Sequence, residues 1–162
     1  MPSGPAQLAE LRSDLQSSDR HRRAIAAIQL GQLGDRRSVD ELRVLACDSD
    51  DLVAIAAMYG CWQLGVDTVA IDRMVAALSS DDEELVQESV FALCGMGEPV
   101  VPKLTGLLIE QPALADEILR VLADIGGAMS WQTINDFETD DADLMDIIQE
   151  LLEEWDDEDS QP

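Results

Sequence analysis

The chain has 162 residues, 46% of them hydrophobic and 4% aromatic, with a formal net charge of −24. That length and apolar content suit one domain of ordinary size with an aliphatic core. The ten basic residues are scattered, whereas a DNA-binding surface must neutralise about six to ten phosphates with lysine or arginine, so nucleic acid is excluded as a partner, and an anionic membrane surface is disfavoured for the same reason.

Residues 1–5 read as an N-terminal extension, and the first helix is expected over 6–17. Ser18-Asp19 follows, and the pair recurs as Ser49-Asp50 and Ser80-Asp81, 31 residues apart each time. Beyond each pair an apolar stretch with 3.6-residue spacing closes on a hydrophobic residue and glycine: Leu33-Gly34, Leu64-Gly65, Met96-Gly97 and, once more, Ile125-Gly126. Serine or aspartate suits a helix N-cap because its side-chain oxygen accepts from an orphan amide, and glycine suits the left-handed residue that ends a helix. These marks set first helices at 6–17, 38–47, 68–79, 100–110 and 129–138. Second helices follow at 20–33, 51–65, 83–96, 113–125 and 142–155. No stretch alternates with period two, so strands are not expected. Pro99, Pro102 and Pro112 fall at the start of the fourth pair and at its inner turn, where proline is tolerated.

The stretch Arg22-Arg23-Ala24-Ile25-Ala26-Ala27-Ile28-Gln29-Leu30-Gly31-Gln32-Leu33-Gly34 resembles the second helix of the short bacterial HEAT repeats, the type also found in phycobilisome lyase subunits. Val53 with Ala56, Ala57 and Leu64-Gly65 repeats the pattern. Leu85 or Val86, then Ser89, Leu93 and Met96-Gly97, follows it more loosely, and the last two units keep mainly the spacing. The resemblance covers about residues 6–155. With the repeat period it implies an all-α fold, a right-handed α-solenoid of about five antiparallel helix pairs in a HEAT-like superhelix, because one hairpin cannot bury its apolar face and stacked hairpins can. The family often places arginine after the valine; Arg23 keeps it while Ala54 and Gln87 do not, so an arginine ladder between repeats is expected to be interrupted.

Charge is unevenly spread. Residues 1–43 carry seven arginines and six acidic residues, net +1, and residues 44–162 carry net −25. Such a field attracts a basic protein partner. It is also what a solubility or high-salt trait would produce, and Lys103 stands alone against nine arginines. Residues 156–162 are expected to form an acidic disordered tail because like charges repel and nothing there is apolar. Trp155 is expected to cap the stack. The start Met-Pro-Ser-Gly-Pro-Ala lacks a signal pattern and the apolar run from Leu52 to Trp62 is too short to cross a bilayer, so a cytoplasmic location is expected.

Chemistry finds little footing. Cys47, Cys61 and Cys94 sit in apolar helical segments without metal-ligand spacing and read as buried small hydrophobes. His21 stands among Arg20, Arg22 and Arg23 with no nucleophile at a telling interval, and reads as solvated. Asp140, Asp141 and Asp143 lack the glycine and the closing glutamate of an EF-hand loop, so helix capping is the better account. No catalytic, cofactor or metal residues are assigned.

The second helices, which line the inner face in this type of solenoid, carry the candidate binding residues. Counted back from the closing apolar-glycine pairs, Ile28, Tyr59, Phe91 and Arg120 form one row, and Gln32, Gln63, Gly95 and Asp124 form another. Tyr59, Trp62 and Gln63 share one helix face. Aromatic anchors beside polar residues have the composition of a binding hot spot, so Ile28, Tyr59, Trp62, Gln63, Phe91, Arg120 and Asp124 are the expected partner contacts; the aromatics filling gaps between repeats is the competing account. The expected function is a non-enzymatic adaptor or scaffold. Two alternatives remain: an immunity or inhibitor protein masking a basic toxin or nuclease, and an accessory subunit of a phycobilin-type lyase.

Overall fold

A computed structural model describes residues 4–66 and 70–159, with backbone alone for the last four. Among them are ten α-helices and no strands: α1 (Pro5–Asp14), α2 (Arg20–Gln32), α3 (Val39–Leu45), α4 (Asp51–Gln63), α5 (Ile71–Ala77), α6 (Glu83–Met96), α7 (Val101–Glu110), α8 (Ala115–Ile125), α9 (Gly127–Asp136) and α10 (Ala142–Asp159). The fold is the all-α, paired-helix class of the α-solenoids. Single turns of 3-10 helix, Arg36–Ser38, Glu98–Val100 and Pro112–Leu114, lead into α3, α7 and α8. The expected start of α5 at residue 68 lies outside the described residues. At the other end α10 continues to Asp159, past the expected limit of 155, and residues 160–162 of the expected tail lie outside the described residues. That last stretch follows directly on Trp155, whose ring stacks on Trp131 at a centroid distance of 5.1 Å.

The repeating punctuation is a two-step cap. In α2, Asp19 donates its amide to Ser17 Oγ and accepts from the amide of His21. In α4, Asp50 donates to Asp48 Oδ1 and accepts from Leu52 and Val53. In α6, Asp82 donates to Ser80 Oγ and accepts from Glu84 and Leu85. In α10, Asp141 donates to Thr139 Oγ1 and accepts from Asp143 and Leu144. The third cap is therefore Asp82, not a member of the Ser80-Asp81 pair; Ser80 serves the outer step instead. Asp141 confirms the capping account of its aspartate run. At the other ends of α2 and α4, Gly34 and Gly65 take φ of 70° and 71°, which lets the amides of Asp35 and Val66 return to the carbonyls of Leu30 and Cys61. A side chain there would be strained.

The described residues fall into two compact units, Met1–Ala92 and Leu93–Pro162. In the first, α4 is buried from Leu52 through Cys61, as expected of a helix apolar on every side, and it packs against α2, α3 and α5. Leu15, Leu30, Leu42 and Met74, with Ile55 of α4 itself, are fully buried in this unit. In the second, α8 packs against α7, α9 and α10 around Leu104, Leu107, Ile118, Leu119 and Leu122. Both cores are aliphatic, as the low aromatic content requires. The cysteines divide: Cys61 is buried and Cys94 half-buried, but Cys47 is exposed, because it lies past the end of α3 where the apolar face no longer turns inward.

Candidate functional site

Ile28, Tyr59 and Phe91 each stand nine residues beyond the cap of their helix, Asp19, Asp50 and Asp82, so equal spacing places them at equivalent points of α2, α4 and α6. Their exposures differ. Ile28 is half-buried, Tyr59 is only 6% exposed, and Phe91 is 46% exposed. The rings of Tyr59 and Phe91 meet edge to face, with centroids 5.3 Å apart at 77°. Tyr59 is thus the covered ring of the pair and Phe91 the exposed one. Trp62 and Gln63 are half-buried, and the Gln63 side chain lies over Gly31 of α2.

Sequence reasoning missed Glu88. It precedes Phe91 by three residues and follows Glu84 by four, so all three belong to one face of α6. Burial first, and then the charge of Glu84, pushes the Glu88 carboxyl up to about 7 from an ordinary 4.5. Its Oε1 is buried without a hydrogen bond among the described residues. Near neutral pH the group is therefore only partly ionised.

Of the interrupted arginine ladder Arg23 remains, and Arg20 and Arg73 add contacts between helix starts. Arg20, at the start of α2, lies 3.8 Å from the cap carboxylates of both α4 and α6, Asp50 and Asp82, and bonds Glu84 at 2.9 Å. His21 adds Nδ1 to Glu84 at 2.8 Å, so although exposed it is paired. Arg23 reaches the carbonyl of Ser17 and lies 3.8 Å from Asp48, while Arg73 of α5 bonds Asp51 and the carbonyl of Asp48. Together they hold the starts of α2, α4 and α6 in register, which positions the row above them. Arg12 and Asp35 make a two-pronged pair at 2.6 and 3.2 Å, and that hydrogen bond raises the arginine above its usual value.

In the second unit Arg120 and Asp124, both exposed on α8, line a depression of about 330 Å³ with Leu151, Glu154 and Trp155. Arg120 is held by Asp116 at 2.6 Å. Cys94 is pushed up to about 11 by burial and then by Asp124, so its thiol is unreactive at neutral pH.

A family model of HEAT repeats matches residues 8–94. The chain belongs to the HEAT-repeat family. HEAT repeats are generally protein-protein interaction modules, and α2, α4 and α6 are the second helices of the matched repeats. A solved crystal structure of an engineered protein, a Northeast Structural Genomics Consortium target, is 20% identical to this chain; the alignment covers 94% of this chain and 80% of that one, with a TM-score of 0.48. No curated protein matches the sequence. Beyond the HEAT match lie α7 to α10. No single helix among the described residues is long and apolar enough to cross a membrane.

Proposed function

We propose that this HEAT-repeat chain is a non-enzymatic adaptor, acting in the cytoplasm, whose second-helix surface on α2, α4 and α6 holds a basic segment of a partner protein. The observation that carries the reading is Phe91, a large aromatic ring 46% exposed and braced on the buried Tyr59. A ring fixed in this way offers contact area without losing much rotamer freedom on binding, which is the property of interface anchors. Glu84 and Glu88 share its helix face; Glu84 is paired with Arg20 and Glu88 is only partly ionised near neutral pH, so an incoming cation would draw Glu88 toward its charged form. Ile28, at the equivalent point of α2, and Trp62, three residues past Tyr59, are half-buried.

Acidity favours the basic partner over a neutral one, since residues 44–162 carry net −25 and complementary fields steer encounter. The same observation supports a second reading, an inhibitor that covers a basic toxin or nuclease. Photo-crosslinking separates the possibilities. A benzophenone amino acid at position 91 is expected to capture a protein that the same probe at Val44, exposed on the first-helix side, does not. If the captured protein is an enzyme silenced by this chain, inhibition is its role. Equal capture from both positions would dispose of the surface assignment.

A further inference from the structure

In the second unit, beyond the family match, α7, α9 and α10 border an apolar groove that runs past the turn between α9 and α10. One part, about 450 Å³, is walled by Leu108, Ile109 and Met129. The next, about 410 Å³, is walled by Met145, Ile148 and Leu152. Phe137 lines both. Ile109 is 78% exposed, Met145 48% and Met129 45%, so apolar surface is open to water along the whole length. The charged residues on its edge are of one sign, Asp136 and Glu138 beside the first part and Glu138 and Glu153 beside the second, among uncharged threonines and glutamines.

We propose that this groove receives a basic amphipathic helix from a partner protein, its apolar side against Met129, Phe137 and Met145 and its lysines and arginines along Asp136, Glu138 and Glu153. Three observations select that occupant. An open apolar groove suits the apolar face of a helix, and unbranched methionines adapt to its side chains. The rim fixes the sign of the flanking charge. Residues 93–162 hold 18 acidic residues and only Lys103 and Arg120 as bases, and Arg120 is engaged by Asp116, so a second copy of the same unit would bring like charges together. The groove shares no lining residue with the row of Ile28, Tyr59 and Phe91, and the inference does not rest on the function proposed for that row.

The test uses the full chain and a fluorescein-labelled synthetic helix of about five turns, with leucine and tryptophan on one face and lysine on the other. Anisotropy is expected to show micromolar binding, weakened about tenfold between roughly 50 and 300 mM salt. Ile109→Ser with Met145→Ser is expected to weaken it at least about tenfold; both side chains are largely exposed, and circular dichroism verifies that the variant is folded. Glu138→Gln with Glu153→Gln, which leaves the apolar wall intact, is expected to weaken it several-fold. Phe91→Ala is expected to leave it unchanged. Absence of binding, an undiminished affinity in both double variants, or equal binding of a scrambled peptide of the same composition would overturn the proposal.

Discussion

Gly31 and Gly60 meet backbone to backbone where α2 packs against α4. A Cβ placed on Gly31 would lie 2.7 Å from the Cα of Gly60, and one placed on Gly60 would lie 2.5 Å from the carbonyl oxygen of Ala27. The obstacles are backbone atoms and cannot swing aside. Gly31→Ala and Gly60→Ala are therefore expected to cost about 1–3 kcal/mol each through overpacking, read as a lower urea midpoint. Gly106→Ala is the control: it lies inside α7 with nothing within 4 Å of the added atom, and is expected to stabilise by roughly 0.5–1 kcal/mol. Equal effects at the three positions would contradict the close helix contact.

The two-step caps make a second prediction. Asp50→Ala removes the acceptor for the amides of Leu52 and Val53 and is expected to cost about 1 kcal/mol. Asp82→Ala is expected to do the same at α6. Asp81→Ala, one residue earlier, is expected to stay within about 0.5 kcal/mol of the parent. Denaturant melts of the three variants distinguish the observed cap from the Ser-Asp pair that the 31-residue interval suggests.

Glu88 makes stability depend on pH in a stated direction. Its folded value of about 7 stands above the ordinary 4.5, so between those values the folded chain keeps a proton that the unfolded chain releases. Stability falls as pH rises through this window and levels off above it. The contribution is on the order of 1–2 kcal/mol once solvent screening of the partly buried group is allowed for. Comparing Glu88→Gln with the parent at pH 5 and pH 8 isolates it from the general acidity: the substitution is expected to make the pH dependence shallower. A basic partner seated beside Glu88 favours the ionised form, so its affinity is expected to rise as pH passes about 7. An unchanged slope in the variant would remove Glu88 from the account.

The fold was legible because its signals are local. Gly34 and Gly65 mark the ends of α2 and α4, the apolar period marks their faces, and neither requires knowledge of distant residues. The third cap was misplaced by one residue because Ser80, Asp81 and Asp82 are all competent acceptors and only the backbone path chooses between them. The site was legible as a row of positions and not as a surface. Equal spacing puts Tyr59 and Phe91 at equivalent points, but which ring is covered depends on how neighbouring helices pack, and the sequence treats the two alike. Glu88 was invisible for a related reason: its shifted carboxyl arises from burial, and in a chain with 34 acidic residues nothing in composition distinguishes it. Arg20 likewise joins Asp50, Asp82 and Glu84 across three helix starts, a contact that no sequence interval announces.

The central claim is that Phe91 is a binding anchor braced by a buried Tyr59. It is tested most directly by measuring, for Phe91→Ala, the affinity for the partner captured from position 91 together with the melting temperature. The account predicts an affinity loss of roughly tenfold or more, about 1.4 kcal/mol, with a melting temperature close to the parent's, whereas Tyr59→Ala is expected to lose several kcal/mol of stability as a truncated core aromatic. A Phe91→Ala protein that melts as early as Tyr59→Ala, or binds as tightly as the parent, would contradict it.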